Sequence, residues 1–304
     1  MNDILALLVT PAFFYAILRV TTPILFAALG NVISSKAGVS NIAMEGTMLT
    51  ASLAGVLASA YSKSALIGLI AALLVGVLFS AFMAYLSLYL GTKVIMAGIA
   101  LNLFASSFTV YILYMFTGQK GNSASLASKQ IPSVKLPLID KIPVIGEIFS
   151  GHNILVYVAL LSVAAIYIML NKTKLGTHIK AVGENPAAAA SVGIKVRRVQ
   201  FTALCLSGLL AGFGGAYMSM GYLSMFTRDM IAGRGWIAIA ASAMGRSMVI
   251  PTTITSFLFG IFSAIGNVLQ LQNIPSELIT TLPYVAVFIG IVVYSVRKSR
   301  GGRS

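Results

Sequence analysis

The sequence predicts an all-α polytopic membrane protein with about nine transmembrane helices, within bounds of eight to ten, and three observations predict it. Hydrophobic residues make up 58% of the 304 and charged residues only 9%, against roughly 25% charged in an average soluble domain, which excludes a soluble enzyme. The mean hydropathy of +0.93 reflects apolar residues spread along the chain, enough for roughly eight or nine spans of about 20 residues. The formal charge is +14, but the basic residues sit in short segments between apolar runs. That is the pattern of membrane orientation rather than of nucleic-acid binding.

The apolar runs place crossings at about 13–34, 41–59, 64–89, 94–116, 153–170, 201–221, 233–247, 250–269 and 280–296, all in a single transmembrane domain over 1–304. The first carries Arg19 and Pro23. It is preceded by Met1-Asn2-Asp3, which lacks the basic start of a cleaved signal peptide and is expected to be retained. The run at 41–59 is half polar, with Asn41, Glu45, Thr47, Thr50 and Ser52, and the run at 233–247 is short and bounded by glycines. Such helices are tolerated where they are buried in protein or line a watery cavity, so short or broken helices are expected around a central translocation pathway. Packing wedges are the competing reading.

Two connections stand out. Residues 171–200 carry Lys172, Lys174, Lys180, Lys195, Arg197 and Arg198 against Glu184, and the tail carries Arg297, Lys298, Arg300 and Arg303. With both inside, thirteen basic residues face the cytoplasm and seven face out, so the C-terminus is expected to be cytoplasmic. Residues 117–152 form the longest outer connection, Ser-rich at first and then apolar through Ile142, Ile145 and Ile148. The lone Cys205 supports no disulfide, and neither His152 nor His178 has partners at metal-ligand spacing, so no metal site is expected.

The cytoplasmic segment contains a short helix with its boundaries written in. Asn185 is a good N-cap, Pro186 suits the first helical position, Ala187 to Ala190 favour helix, and Gly193 suits a left-handed end. A helix this short is marginal alone in water, so it is expected to dock on a partner.

The run Ala181-Val182-Gly183-Glu184-Asn185-Pro186 followed by Gly193-Ile194 resembles the coupling loop of permeases of ATP-binding-cassette (ABC) importers for simple sugars, nucleosides and branched-chain amino acids. Ala37-Gly38 through Asn41-Ile42 to Glu45-Gly46, the glycine-rich Ser207–Gly215, and Gly233-Arg234-Gly235-Trp236 resemble three further stretches of that family. The likeness runs from about Pro23 to Tyr284 and is strongest to the smaller permease of bacterial nucleoside importers. It implies a non-catalytic subunit in the bacterial plasma membrane, forming the pathway with a second, homologous permease as a heterodimer. It also implies a cytoplasmic ABC ATPase that binds ATP and Mg, and an extracellular substrate-binding lipoprotein. The chain itself has no P-loop, and no cofactor is expected in it. Ribose-like sugars or branched-chain amino acids remain alternative substrates, and an ion-coupled secondary transporter an alternative class.

On this resemblance Glu184, Asn185, Pro186, Ala187, Ala188, Ala189 and Gly193 would couple to the ATPase. Asn41, Glu45, Asn102, Trp236 and Asn267 are the candidates for the substrate pathway, and the asparagines suit helix–helix hydrogen bonding equally well. Glu45 reads as the one acid near an embedded segment, and Trp236 as an aromatic near the outer interface. Gly208, Gly212 and Gly215 make a smooth face for close helix packing.

Overall fold

In the structure, a computed structural model, residues 10–135 and 145–270 are described. The expected crossing at 280–296 and the basic tail lie outside them. The elements are α1 (Pro11–Lys36), α2 (Met44–Ser62), α3 (Ala65–Leu88), α4 (Val94–Thr117), α5 (Ile145–Phe149), α6 (Ile154–Lys172), α7 (Lys174–Glu184), α8 (Pro186–Ser191), α9 (Val196–Tyr217), α10 (Arg234–Met244) and α11 (Val249–Leu269). One π-helical turn, Met218–Tyr222, extends α9. No strand occurs among the described residues, only isolated bridges at Asn122–Thr227 and Ser133–Asn153. The protein is an all-α polytopic membrane protein.

Six of the described helices, α1, α3, α4, α6, α9 and α11, are long and apolar enough to cross a bilayer. They divide by burial. The central window of α1 is 67% buried and that of α9 61%, whereas the windows of α3, α4 and α6 are each 28% buried. Helices that are apolar all round and mostly uncovered belong against lipid, so α1 and α9 form the inner layer and α3, α4 and α6 the periphery.

Neighbouring helices are drawn onto α9 by residues without side chains. A Cβ on Gly76 of α3 would lie 2.6 Å from the Gly208 carbonyl and 2.9 Å from the Gly212 Cα, so the two backbones touch. Gly215 presents its Cα to α2, where a Cβ would sit 3.1 Å from that of Ala51. Without a hydrophobic drive between helices in lipid, such close approach supplies the dispersion contacts that hold them.

Two expected crossings take a different form. The run at 233–247 yields α10, 11 residues long, or about 16 Å, half of a roughly 30 Å hydrocarbon core. It does not cross alone. The run at 41–59 yields α2, which starts at depth: its first turn meets Asn102, about 12 Å along α4 from the start of that helix. Residues 37–43 before it are irregular and climb back from the end of α1. Asn41 anchors this connector; it is fully buried, and its Nδ2 donates to the hydroxyls of Ser80 on α3 (3.0 Å) and Ser207 on α9 (3.1 Å).

At one end of the molecule the last turn of α1 meets α7, whose Gly183 lies flush on the Lys36 carbonyl. At the opposite end the first part of the 117–152 segment is folded in. Ser123 is fully buried, its hydroxyl accepts from the Phe226 N–H (2.9 Å), and the Ile131 N–H donates to the Met220 carbonyl (3.0 Å). His152 is buried there too, stacked on Tyr15 with ring centroids 3.9 Å apart.

Candidate functional site

The short helix α10 begins inside the protein, and a helix start leaves backbone N–H groups without intrahelical partners. Its own N-cap, Gly233, has no side chain to offer. Glu45, in the first turn of α2, supplies the acceptors. The Gly233 N–H donates to Oε1 (2.7 Å) and the Gly235 N–H to Oε2 (2.7 Å). An acid at a helix N-terminus also meets the positive end of the helix dipole. The fit needs Gly235, because a Cβ there would lie 2.6 Å from the Glu45 nitrogen and 2.7 Å from Oε2.

The start of α2 is served in the same way from α4. The Gly46 N–H donates to Asn102 Oδ1 (2.8 Å), and Asn102 Nδ2 donates to the Ile42 carbonyl (2.9 Å). Asn102 therefore holds α2, and α2 through Glu45 holds α10. Two helix N-termini converge at membrane depth, each closed by a side chain from the preceding partner.

Beside this junction lies an open cavity of about 250 Å³, lined by Glu45, Asn102, Ser106, Asp229 and Trp236 among others. Asp229 reaches it from the loop before α10, where its Oδ1 accepts from the Ser106 hydroxyl (2.9 Å) and its Oδ2 pairs with the Arg228 guanidinium (3.3 Å). Ser224, Asp229 and Ala232 all have positive φ in this loop. Non-glycine residues in that region cost free energy, and such strain gathers where a loop must hold a particular shape. With a tryptophan ring, a hydroxyl, an amide and a carboxylate on its wall, the cavity can stack a flat ring and hydrogen-bond a neutral polar solute.

Three of the five pathway candidates, Glu45, Asn102 and Trp236, thus line one cavity. Asn41 does not reach it and is sealed among α3 and α9. Asn267 lies exposed near the far end of α11, away from the junction. Two expectations are corrected. Glu45 is not the only acid at depth, since Asp229 meets Ser106 about 17 Å along α4 from its C-terminal end. Trp236 is not at an outer interface, because the loop before α10 descends and starts that helix level with Glu45. The sequence signal for Asp229 was its place four residues before Gly233-Arg234-Gly235; Ser106 carried none.

The segment resembling a coupling loop forms two helices. Thr173 caps α7, its Oγ1 accepting from the Gly176 N–H (3.2 Å), and Asn185 caps α8, its Oδ1 accepting from the Ala188 N–H (3.0 Å). Gly193 follows in the left-handed conformation, φ +85°. Glu184, Asn185, Pro186, Ala187 and Ala188 are exposed, while Ala189 turns inward, 3% exposed. Val192, just after α8, is 75% exposed. No group of three or more His, Cys, Asp or Glu that could hold a metal occurs among the described residues.

An all-α membrane protein with short helices meeting at a polar cavity has an architecture suited to a solute permease, and sequence comparison supplies the class. The family described as branched-chain amino acid transport system / permease component matches residues 13–296, and the chain belongs to that family. Among curated proteins it is 31% identical to the nucleoside ABC transporter permease NupC of Lactococcus lactis, over 90% of this chain and 89% of that one. It is 30% identical to the guanosine ABC transporter permease NupQ of Bacillus subtilis, over 95% and 92%. It is 28% identical to a putative glucose ABC transporter permease, TsgC13 of Haloferax volcanii, over 91% and 83%. Of solved structures, PsaBC from Streptococcus pneumoniae in complex with Fab matches with a TM-score of 0.54 at 15% identity, covering 91% of this chain and 89% of that one. An inward-facing putative metal-chelate type ABC transporter matches with 0.52 at 17% identity, covering 94% and 85%. These two share the fold.

Proposed function

We propose that this chain is one of two permease subunits of an ATP-driven importer of nucleosides in a bacterial cytoplasmic membrane. The observation that carries the reading is the near end-to-end likeness, at about 30% identity, to permeases named for nucleoside and guanosine transport. The geometry supports it. The cavity at Glu45, Asn102 and Trp236 offers a ring to stack on and hydrogen-bonding groups suited to neutral hydroxyls and base edges. The α7–α8 segment offers an exposed, capped helix for a separate ATPase to grip, with ATP and Mg bound by that partner. Movement of α8 would pass to α1 through the Gly183–Lys36 contact, a rigid-body route to alternating access. A lipoprotein would deliver substrate at the opposite end, beside the 117–135 segment, and the end carrying α7, α8 and the C-terminus would face the cytoplasm.

The test is uptake of labelled guanosine, uridine, glucose, ribose and leucine by cells with the gene, without it, and with a Pro186→Gly/Ala188→Asp variant. Nucleoside uptake should fall to background in the deletion and in the variant, with the variant protein still present in membranes. Loss of glucose or ribose uptake alone would install the sugar reading that the Haloferax relative favours. Nucleoside uptake that persists without the ATPase and stops with a protonophore would install an ion-coupled transporter.

A further inference from the structure

A second cavity, of about 340 Å³, lies at the α7 end of the molecule, remote from Glu45. It is framed by Lys36 at the end of α1, Tyr167 and Asn171 on α6, Lys180 on α7, and Met248 and Ile250 at the start of α11. Both lysines are half-buried. The Lys180 ammonium donates to Asn171 Oδ1 (2.6 Å), which fixes it at the rim, and neither lysine meets a carboxylate among the described residues. No acid lines the cavity.

Two lysines on one cavity wall, with no acid among the described residues that line it, give that wall a positive charge that attracts an anion. The surroundings say what carries that anion. Tyr167, Ile168, Met248, Ile250 and Ile254 form an exposed apolar strip on α6 and α11 beside the cavity. A soluble anion has no use for that strip, whereas acyl chains do.

We propose that this cavity binds the headgroup of an anionic phospholipid of the inner leaflet, with Lys36 and Lys180 clasping its phosphate and the acyl chains lying along α6 and α11. Basic pockets between transmembrane helices on the cytoplasmic side recognise such headgroups by charge, each lysine contributing independently. Tyr167 lies five residues before the end of α6, a place that suits an amphipathic ring at an interface. The bound lipid joins the end of α1 to the coupling segment through α7, so it would stiffen that corner of the permease.

The test uses the complete transporter purified in detergent and a photoactivatable phosphatidylglycerol, with the matching phosphatidylcholine as control. Phosphatidylglycerol should label peptides containing 167–171 and 247–251, and phosphatidylcholine should not. A Lys36→Gln/Lys180→Gln variant should require about thirtyfold more lipid for equal labelling. The Lys36→Arg/Lys180→Arg variant should label as the wild type does, which separates loss of charge from loss of fold. Millimolar glycerophosphoglycerol, the soluble headgroup, should not displace the lipid. Equal labelling by phosphatidylcholine, unchanged labelling of the glutamine variant, labelling elsewhere on the chain, or displacement by the soluble headgroup would each overturn the proposal, the last in favour of a free phosphodiester. None of these readouts depends on which solute is transported.

Discussion

At the scale of single residues, Glu45 shows how one carboxylate is committed to structure and site together. It closes α10 with two N–H bonds while lining the cavity. Removing a charged acceptor strands two donors, so Glu45→Ala should lower stability by about 2–4 kcal/mol, read as a fall in thermal midpoint of the purified protein. Glu45→Gln keeps one acceptor and should cost about half as much. Gly235→Ala should destabilise by roughly 1–3 kcal/mol through overpacking, since its methyl would press on the Glu45 backbone, and trimming the Glu45 side chain would not relieve it. His152 lies in a loop outside the spans, where burial pushes its imidazole below the ordinary 6.5; with Nε2 donating to the Ile148 carbonyl (2.8 Å), Nδ1 is buried without a partner. Its folded form resists the proton that the unfolded chain takes up, so its contribution is full above about pH 6.5 and is lost as pH falls toward the lowered value. The thermal midpoint should therefore drop more steeply between pH 7 and 5.5 in the wild type than in His152→Gln. Glu45, Asn102 and Trp236 could be singled out in the sequence because polar or aromatic residues in apolar runs are conspicuous. Their meeting was not legible, since it depends on contacts between residues 45, 102 and 233, far apart along the chain.

At the scale of elements, what is local could be read and what is tertiary could not. The boundaries of α8 follow from Asn185, Pro186 and Gly193 because caps act within one turn. An Asn185→Ala variant removes the Oδ1 acceptor and should cost about 1 kcal/mol locally, seen as faster hydrogen exchange at Ala187 and Ala188 with little change in the global thermal midpoint. The long runs of α3, α4 and α6 announce themselves by hydropathy. By contrast α10 has the composition of a crossing and, at 11 residues, about half the length of one, while α2, 19 residues long, begins beside Asn102 well inside α4. Their starting depth is set by Asn102 and Glu45, partners that hydropathy does not weigh. The inward turn of Ala189 belongs here as well: four successive alanines are equivalent in sequence, and only packing under α7 selects one.

At the scale of the whole molecule, the peripheral α3 is held to the inner α9 by backbone contact. A Gly208→Leu substitution should separate these helices and prevent folding, giving loss of the monodisperse peak of the purified transporter in size-exclusion chromatography, whereas Ala187→Leu on the exposed face of α8 should leave that peak intact. The glycine stripe was visible in the sequence, but Gly76, its counterpart on α3, was not, because a single glycine in an apolar run carries no pattern of its own.

The clasp between α2 and α10 has a consequence for how the chain is made. Glu45 leaves the ribosome long before Gly233 exists, and throughout that interval its carboxylate stands in the bilayer without the two N–H groups that later hold it. An embedded charge without its hydrogen-bond partners is costly, so this nascent intermediate should be less stable than the finished protein. Chains truncated before residue 233 should be cleared rapidly by membrane proteases, and the same truncations carrying Glu45→Leu, which lack the stranded charge, should persist longer in a pulse-chase experiment. On that outcome, completion of α10 is the step at which the nascent chain ceases to be a substrate for degradation.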